Sequence, residues 1–130
     1  MKKILILLFV CIAITVQSQV ISYRTIAFYS SRNTSYGWTN WSTPKRSDMI
    51  MKIDWDNALV YINSNYQQLY QILYIGADYR DKDGNNICEM KFIDQDGDHG
   101  TMKFVIRQSG KSQVYIIFNN LRWCYDIIRL

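Results

Sequence analysis

Apolar and polar residues alternate along most of this chain in short runs, and no long stretch repeats with helical spacing. Met49, Met51 and Ile53 lie on one face of a segment whose other face carries Ile50, Lys52 and Asp54. Cys88, Met90 and Phe92 oppose Glu89 and Lys91, and Met102, Phe104 and Ile106 oppose Thr101, Lys103 and Arg107. Segregation with a period of two marks strands with one buried and one wetted face. The pattern predicts strands over about 20–30, 48–54, 58–63, 66–76, 87–94, 101–108, 113–119 and 122–129. Asp56-Asn57, Asn63-Ser64-Asn65, Asp83-Gly84, Asp96-Gly97, Ser109-Gly110 and Asn119-Asn120 separate them. These residue types tolerate positive φ or hydrogen-bond their own backbone, as tight turns require.

The fold class that follows is all-β, an antiparallel meander of about eight strands. Short connections favour antiparallel neighbours, because a parallel pair needs a long crossover. Eight strands in sequence order can close into a small up-and-down barrel, which resembles lipocalin-like barrels in strand count and order only. The alternative is a two-sheet β-sandwich made from the same strands. An eight-stranded barrel is nearly filled by side chains or holds one small ligand. The last two strands are unusual. Val114, Ile116 and Phe118 back onto Tyr115 and Ile117, and Trp123, Tyr125 and Ile127 back onto Cys124, Asp126 and Ile128. Strands apolar on both faces are covered on both faces. The 31–47 segment or a second subunit is the expected cover.

The first residues change the picture. Lys2 and Lys3 precede an apolar run from Ile4 to Val16, too short for a membrane-spanning helix but suited to the core of a signal peptide. Val16 and Ser18 fit the small-residue positions of a cleavage site. The reading is a signal peptide over 1–18 and one all-β domain over 19–130, exported to the periplasm or the extracellular space. The mature chain then has no second stretch of membrane-spanning length. Loss of Lys2 and Lys3 lowers the net charge from +4 to +2. That near-neutral balance excludes a nucleic-acid partner, whose recognition leans on many lysine and arginine contacts to phosphate. Cys88 and Cys124 remain as an even pair in an oxidising compartment, either bridged or two buried thiols. Alternation turns Cys88 inward and Cys124 outward, and opposite-facing side chains cannot reach disulfide geometry.

Candidate chemistry is sparse. Asp81-Lys82-Asp83-Gly84-Asn85 and Asp94-Gln95-Asp96-Gly97-Asp98 place oxygen ligands at alternate positions, yet glycine is fourth and Phe92 and Val105 fall at the twelfth position. A calcium-binding loop needs glycine sixth and glutamate twelfth, so these are hairpin turns. His99 is the only histidine, and Cys88 as its nucleophile would face the core. No set of nucleophile, base and orienting group emerges, so the sequence predicts no enzyme, no metal and no cofactor.

The remaining feature is Tyr36-Gly37-Trp38-Thr39-Asn40-Trp41, in the one long connection. Aromatic rings beside amides and hydroxyls stack on sugars, peptides or apolar ligands, and long loops on rigid β scaffolds carry binding. Tyr36, Trp38 and Trp41 are therefore the candidate ligand-binding residues, forming an aromatic lip at one end of the scaffold. The competing expectation is that both tryptophans plug a barrel end or cover the two-sided strands. The function expected is a non-catalytic binding protein for a small amphipathic molecule or a glycan. Its alternative is a secreted protein-interaction module, an inhibitor or a subunit of a surface assembly, bound to a protein partner.

Overall fold

The turns set the topology. In the computed structural model, which describes residues 19–64, 66–108 and 111–130, the two acidic segments form the same turn twice. Asp94 N–H donates to Asp98 O at 2.9 Å, Gly97 N–H donates to Asp94 O at 3.1 Å, and Gly97 has φ +85°. Asp81, Gly84 and Asn85 repeat the arrangement, with Gly84 at φ +81°. Each hairpin thus has a three-residue loop closed by a left-handed glycine, one residue longer than the Asp-Gly signal alone suggests. The leading aspartate accounts for the repetition. Asp94 Oδ1 accepts the amides of Asp96 and Asp98, and Asp81 Oδ1 accepts those of Asp83 and Asn85. The first of those bonds to Asn85 is the main reason the Asp81 carboxyl is held below its ordinary pKa.

Turns of this length join neighbouring antiparallel strands. In chain order the strands are β1 (Val20–Thr34), β2 (Gly37–Trp38), β3 (Lys45–Arg46), β4 (Ile50–Asp54), β5 (Leu59–Asn63), β6 (Gln68–Ile75), β7 (Tyr79–Arg80), β8 (Asn86–Asp94), β9 (His99–Ile106), β10 (Ser112–Ile117) and β11 (Leu121–Arg129). Eight of them run in the order β11-β10-β9-β8-β6-β5-β4-β1, and β1 then pairs antiparallel with β11. That last pairing closes the sheet. The fold is the expected lipocalin-like up-and-down barrel, and closure excludes the sandwich. The short strands β2, β3 and β7 are additions at its edges.

The strand β1 runs past its expected end. A register shift between Thr25 and Ala27 lets one 15-residue strand serve two neighbours, pairing with β4 through Val20–Arg24 and with β11 through Tyr23–Arg32. Bulges of this kind bend and twist a strand, and bending is what closure requires. The inward residues are the alternating set expected from sequence. Met51, Val60, Ile62, Met90, Phe92, Met102, Val114, Ile116 and Ile127 are buried to within 1%. An edge-to-face series Tyr70–Phe92–Phe118–Trp123 fills the end of the barrel beside the 94–99 turn. The barrel interior is therefore a packed core. Tyr74 does not continue the inward series of Tyr70 and Ile72: a register shift between Ile72 and Tyr74 leaves it 65% exposed. The expected signal peptide, 1–18, lies outside the described residues. Among the described residues no helix is long and apolar enough to cross a membrane.

Candidate functional site

The long connection between β1 and β4 returns along β1 rather than over a barrel end. A regular ladder would need consecutive backbone pairs, and here serine and threonine hydroxyls substitute for several of them. Ser31 Oγ donates to Thr39 O at 2.7 Å, and Arg32 N–H donates to Thr39 Oγ1 at 3.0 Å. Ser30 N–H donates to Ser42 Oγ at 2.9 Å while Ser42 N–H donates to Ser30 O at 2.8 Å. At the bulge the fully buried Thr25 holds Ser47 Oγ at 2.7 Å and accepts Met49 N–H at 2.8 Å. These rungs fix the backbone from which the two tryptophans project.

Both rings lie against the outer wall. The guanidinium carbon of Arg122 sits 4.6 Å from the centre of the Trp38 ring and 4.5 Å from that of Trp41. Trp41 also packs on Tyr115, ring centres 5.8 Å apart, and with Tyr29, Gln113 and Tyr115 it bounds a hollow of about 190 Å³ above Cys124. The outer face of β11 and part of that of β10 are thus covered by the chain's own 31–47 segment, one of the two covers expected. Of the three candidate residues, the structure brings Trp38 and Trp41 together and leaves Tyr36 apart. Tyr36 is 99% exposed at the tip of the β1–β2 hairpin.

Beyond Trp41 the wall opens into a groove of about 350 Å³. Its floor is Val105, Tyr115, Ile117 and Ile87, outward-facing residues of β8, β9 and β10. One bank is Trp41 with Arg122, and the other is the 81–85 turn, presenting Asp81, Asp83 and Asn85. Lys103 and Arg107 stand between them. The 31–47 connection and the 81–85 turn therefore face each other across one wall. Sequence reasoning missed Arg122, Tyr115, Lys103 and Arg107. The available signal was that Arg122 and Tyr115 fall on the outward parity of the two strands already known to need an outer cover.

A polar relay runs beside the groove. Tyr29 donates to Asp126 Oδ2 at 2.8 Å, Gln113 Nε2 donates to Asp126 Oδ1 at 2.8 Å, and Arg107 Nη2 donates to Gln113 Oε1 at 2.7 Å. Tyr115 donates to the same Gln113 oxygen at 3.1 Å. Burial pushes the Tyr115 phenol and the Cys124 thiol each up to about 12. Cys124 is consequently a protonated thiol at neutral pH, and Cys88, also pushed to about 12 by burial, is the same. Of the two alternatives, bridged or free, the structure takes the second, with Cys88 on the inner face and Cys124 on the outer. His99 lies at the far end of β9 beside Asp94, Asp96 and Asp98, lining a separate cleft of about 570 Å³. Among the described residues no group of three or more histidine, cysteine or acidic side chains is gathered as a metal site. What the groove offers is stacking, hydrogen bonding and charge. Comparison with protein-family models, with curated proteins and with solved structures finds no match to this chain.

Proposed function

We propose that the protein is an exported, non-catalytic binding protein that takes a glycan on the outer wall of its barrel. The observation that carries this reading is the contrast between the two places a ligand could occupy. Among the described residues Met51, Ile62, Met90, Phe92, Met102 and Ile116 fill the middle of the interior, and the hollow of about 430 Å³ beside Cys88 and Ile106 has Tyr79 as its single ring and no paired aromatic faces. The outer groove is open and pairs flat aromatic faces, Trp41 and Tyr115, with carboxylate, amide, ammonium and guanidinium groups. A sugar ring presents just such a mixture, apolar C–H faces rimmed by hydroxyls. Titration with a panel of soluble oligosaccharides, followed by tryptophan fluorescence, tests the reading. A saturable change that Tyr115→Ala weakens at least fivefold supports it. A panel without response, together with a native mass showing no carried small molecule, overturns it.

A second reading has its own observation. Along β6 the outward Leu69 and Tyr74 and the bulged Leu73 are exposed, beside the half-buried Tyr61 of β5. Such a surface suits a protein-interaction module. Its mark is self-association or partner capture that Leu73→Asp abolishes while oligosaccharide binding persists.

A further inference from the structure

We infer that the groove selects an anionic polysaccharide, one carrying a carboxylate on successive sugar units. The inference rests on the glycan-binding reading above and narrows its substrate class. The argument begins with Arg122. Two indole rings lie against its guanidinium, its Nε is buried without a hydrogen-bond partner, and it makes no ion pair with a carboxylate among the described residues. A guanidinium held over two rings has its remaining hydrogen-bond donors at its edge. That edge is the planar fork that receives a carboxylate through two parallel hydrogen bonds. Trp38 and Trp41 also hold the fork in place, so little side-chain freedom is lost when a ligand arrives.

Charge spacing extends the argument from one anion to a polymer. Lys103 lies on β9 opposite Tyr115 of β10, and Tyr115 lies opposite Cys124 of β11, two residues from Arg122. Two strand spacings, roughly 10 Å, therefore separate the backbones that carry Lys103 and Arg122. Three cations spread along one groove, Lys103, Arg107 and Arg122, give successive carboxylates of an acidic chain crossing Tyr115 separate partners. Lys103 has a loose partner in Glu89 at 3.8 Å, and Arg107 hydrogen-bonds the neutral Gln113 at 2.7 Å and lies within reach of the Asp81 charge without an ion pair. The groove keeps a net positive charge, with Lys103, Arg107 and Arg122 against Asp81 and Asp83. Asp81 is engaged by the amides of its own turn, and Asp83 is placed to accept hydrogen bonds from sugar hydroxyls.

The test is calorimetric titration of the full chain with hexagalacturonate and, separately, with the neutral cellohexaose, at low and high salt. Hexagalacturonate should bind at least tenfold more tightly, and its affinity should fall as salt rises. Lys103→Gln and Arg107→Gln, both at the groove surface, should each weaken it about tenfold, the size of a lost charge-assisted hydrogen bond. Arg122→Lys should weaken it further by removing the fork while keeping the charge. Cellohexaose binding as tightly, with Lys103→Gln and Arg107→Gln unaffected, would overturn the anionic assignment and leave the glycan reading standing. Heats indistinguishable from dilution with both probes would overturn the two together.

Discussion

Gly100 is the residue whose replacement the packing forbids most directly. It is the cross-strand partner of Phe92, and a Cβ built on it would stand 2.5 Å from Phe92 Cζ and 2.6 Å from Ile117 O. Neither neighbour can yield cheaply. The ring is locked edge-to-face between Tyr70 and Phe118, and the carbonyl belongs to β10 where it turns toward β11. Gly100→Ala should cost about 2–3 kcal/mol, the range of an overpacked core, read as a lowered urea midpoint. An unchanged midpoint would mean that the aromatic series is loosely held. At this scale much was legible from parity alone: which residues point inward, and that a Cys88–Cys124 bridge needs the last strand in the opposite register. What could not be read were choices settled by a neighbour's side chain. Asp56-Asn57 is the obvious site for a left-handed residue, yet Ala58 takes it, at φ 53°. Asp54 explains the displacement, because its carboxylate caps Asn57 through both the amide N–H at 3.2 Å and Nδ2 at 2.9 Å.

The element on which the proposed function turns is the 31–47 connection, whose sequence shows an aromatic cluster but no alternation that would place it. Its order comes from hydroxyl rungs to β1, each joining residues whose pairing no local pattern announces. The stacking of Trp38 and Trp41 on Arg122 was illegible for the same reason, since the partners meet only because β11 closes the barrel against β1. The two tryptophans are unequal in this arrangement. Trp38 is 37% exposed and its contact with Arg122 is worth about 0.5–1 kcal/mol at such a site. Trp41 shares that contact, packs on Tyr115 and roofs Cys124. Trp38→Ala should therefore lower stability by about 1 kcal/mol, and Trp41→Ala by about 3 kcal/mol, toward the range for a buried aromatic. Thermal melts give the order. Alkylation gives the cause: Trp41→Ala should speed labelling of Cys124 by iodoacetamide at least tenfold, and Trp38→Ala should not. Equal rates in both variants would show that Trp41 is not the cover.

Closure makes the barrel one cooperative body, and several groups with raised pKa are distributed around it. Burial is the first cause for Cys88 and Cys124, each pushed up to about 12, for Tyr115, also about 12, and for Tyr70 and Tyr125, both raised. These groups span β6, β8, β10 and β11, so half the barrel wall is involved. All are acids that are neutral when protonated, and the fold favours that neutral form. Unfolded, the thiols ionise near 9 and the phenols near 10, whereas the folded groups hold their protons to higher pH. The native state then binds more protons than the unfolded chain throughout this window, and linkage requires stability to fall as pH rises. The contribution is complete below pH 9 and is lost progressively between pH 9 and 12. A series of urea midpoints should thus be flat from pH 7 to 9 with respect to these groups and decline above it. Net charge also changes over this range, so the variant comparison isolates the effect. In Cys124→Ala the decline should be shallower where it begins, between pH 9 and 10, while the tyrosine portion beyond pH 10 persists. A Cys124→Ala curve parallel to the parent's across the whole window would show that the thiol ionises as readily in the folded wall as outside it, and that Trp41 and Tyr115 admit water to it.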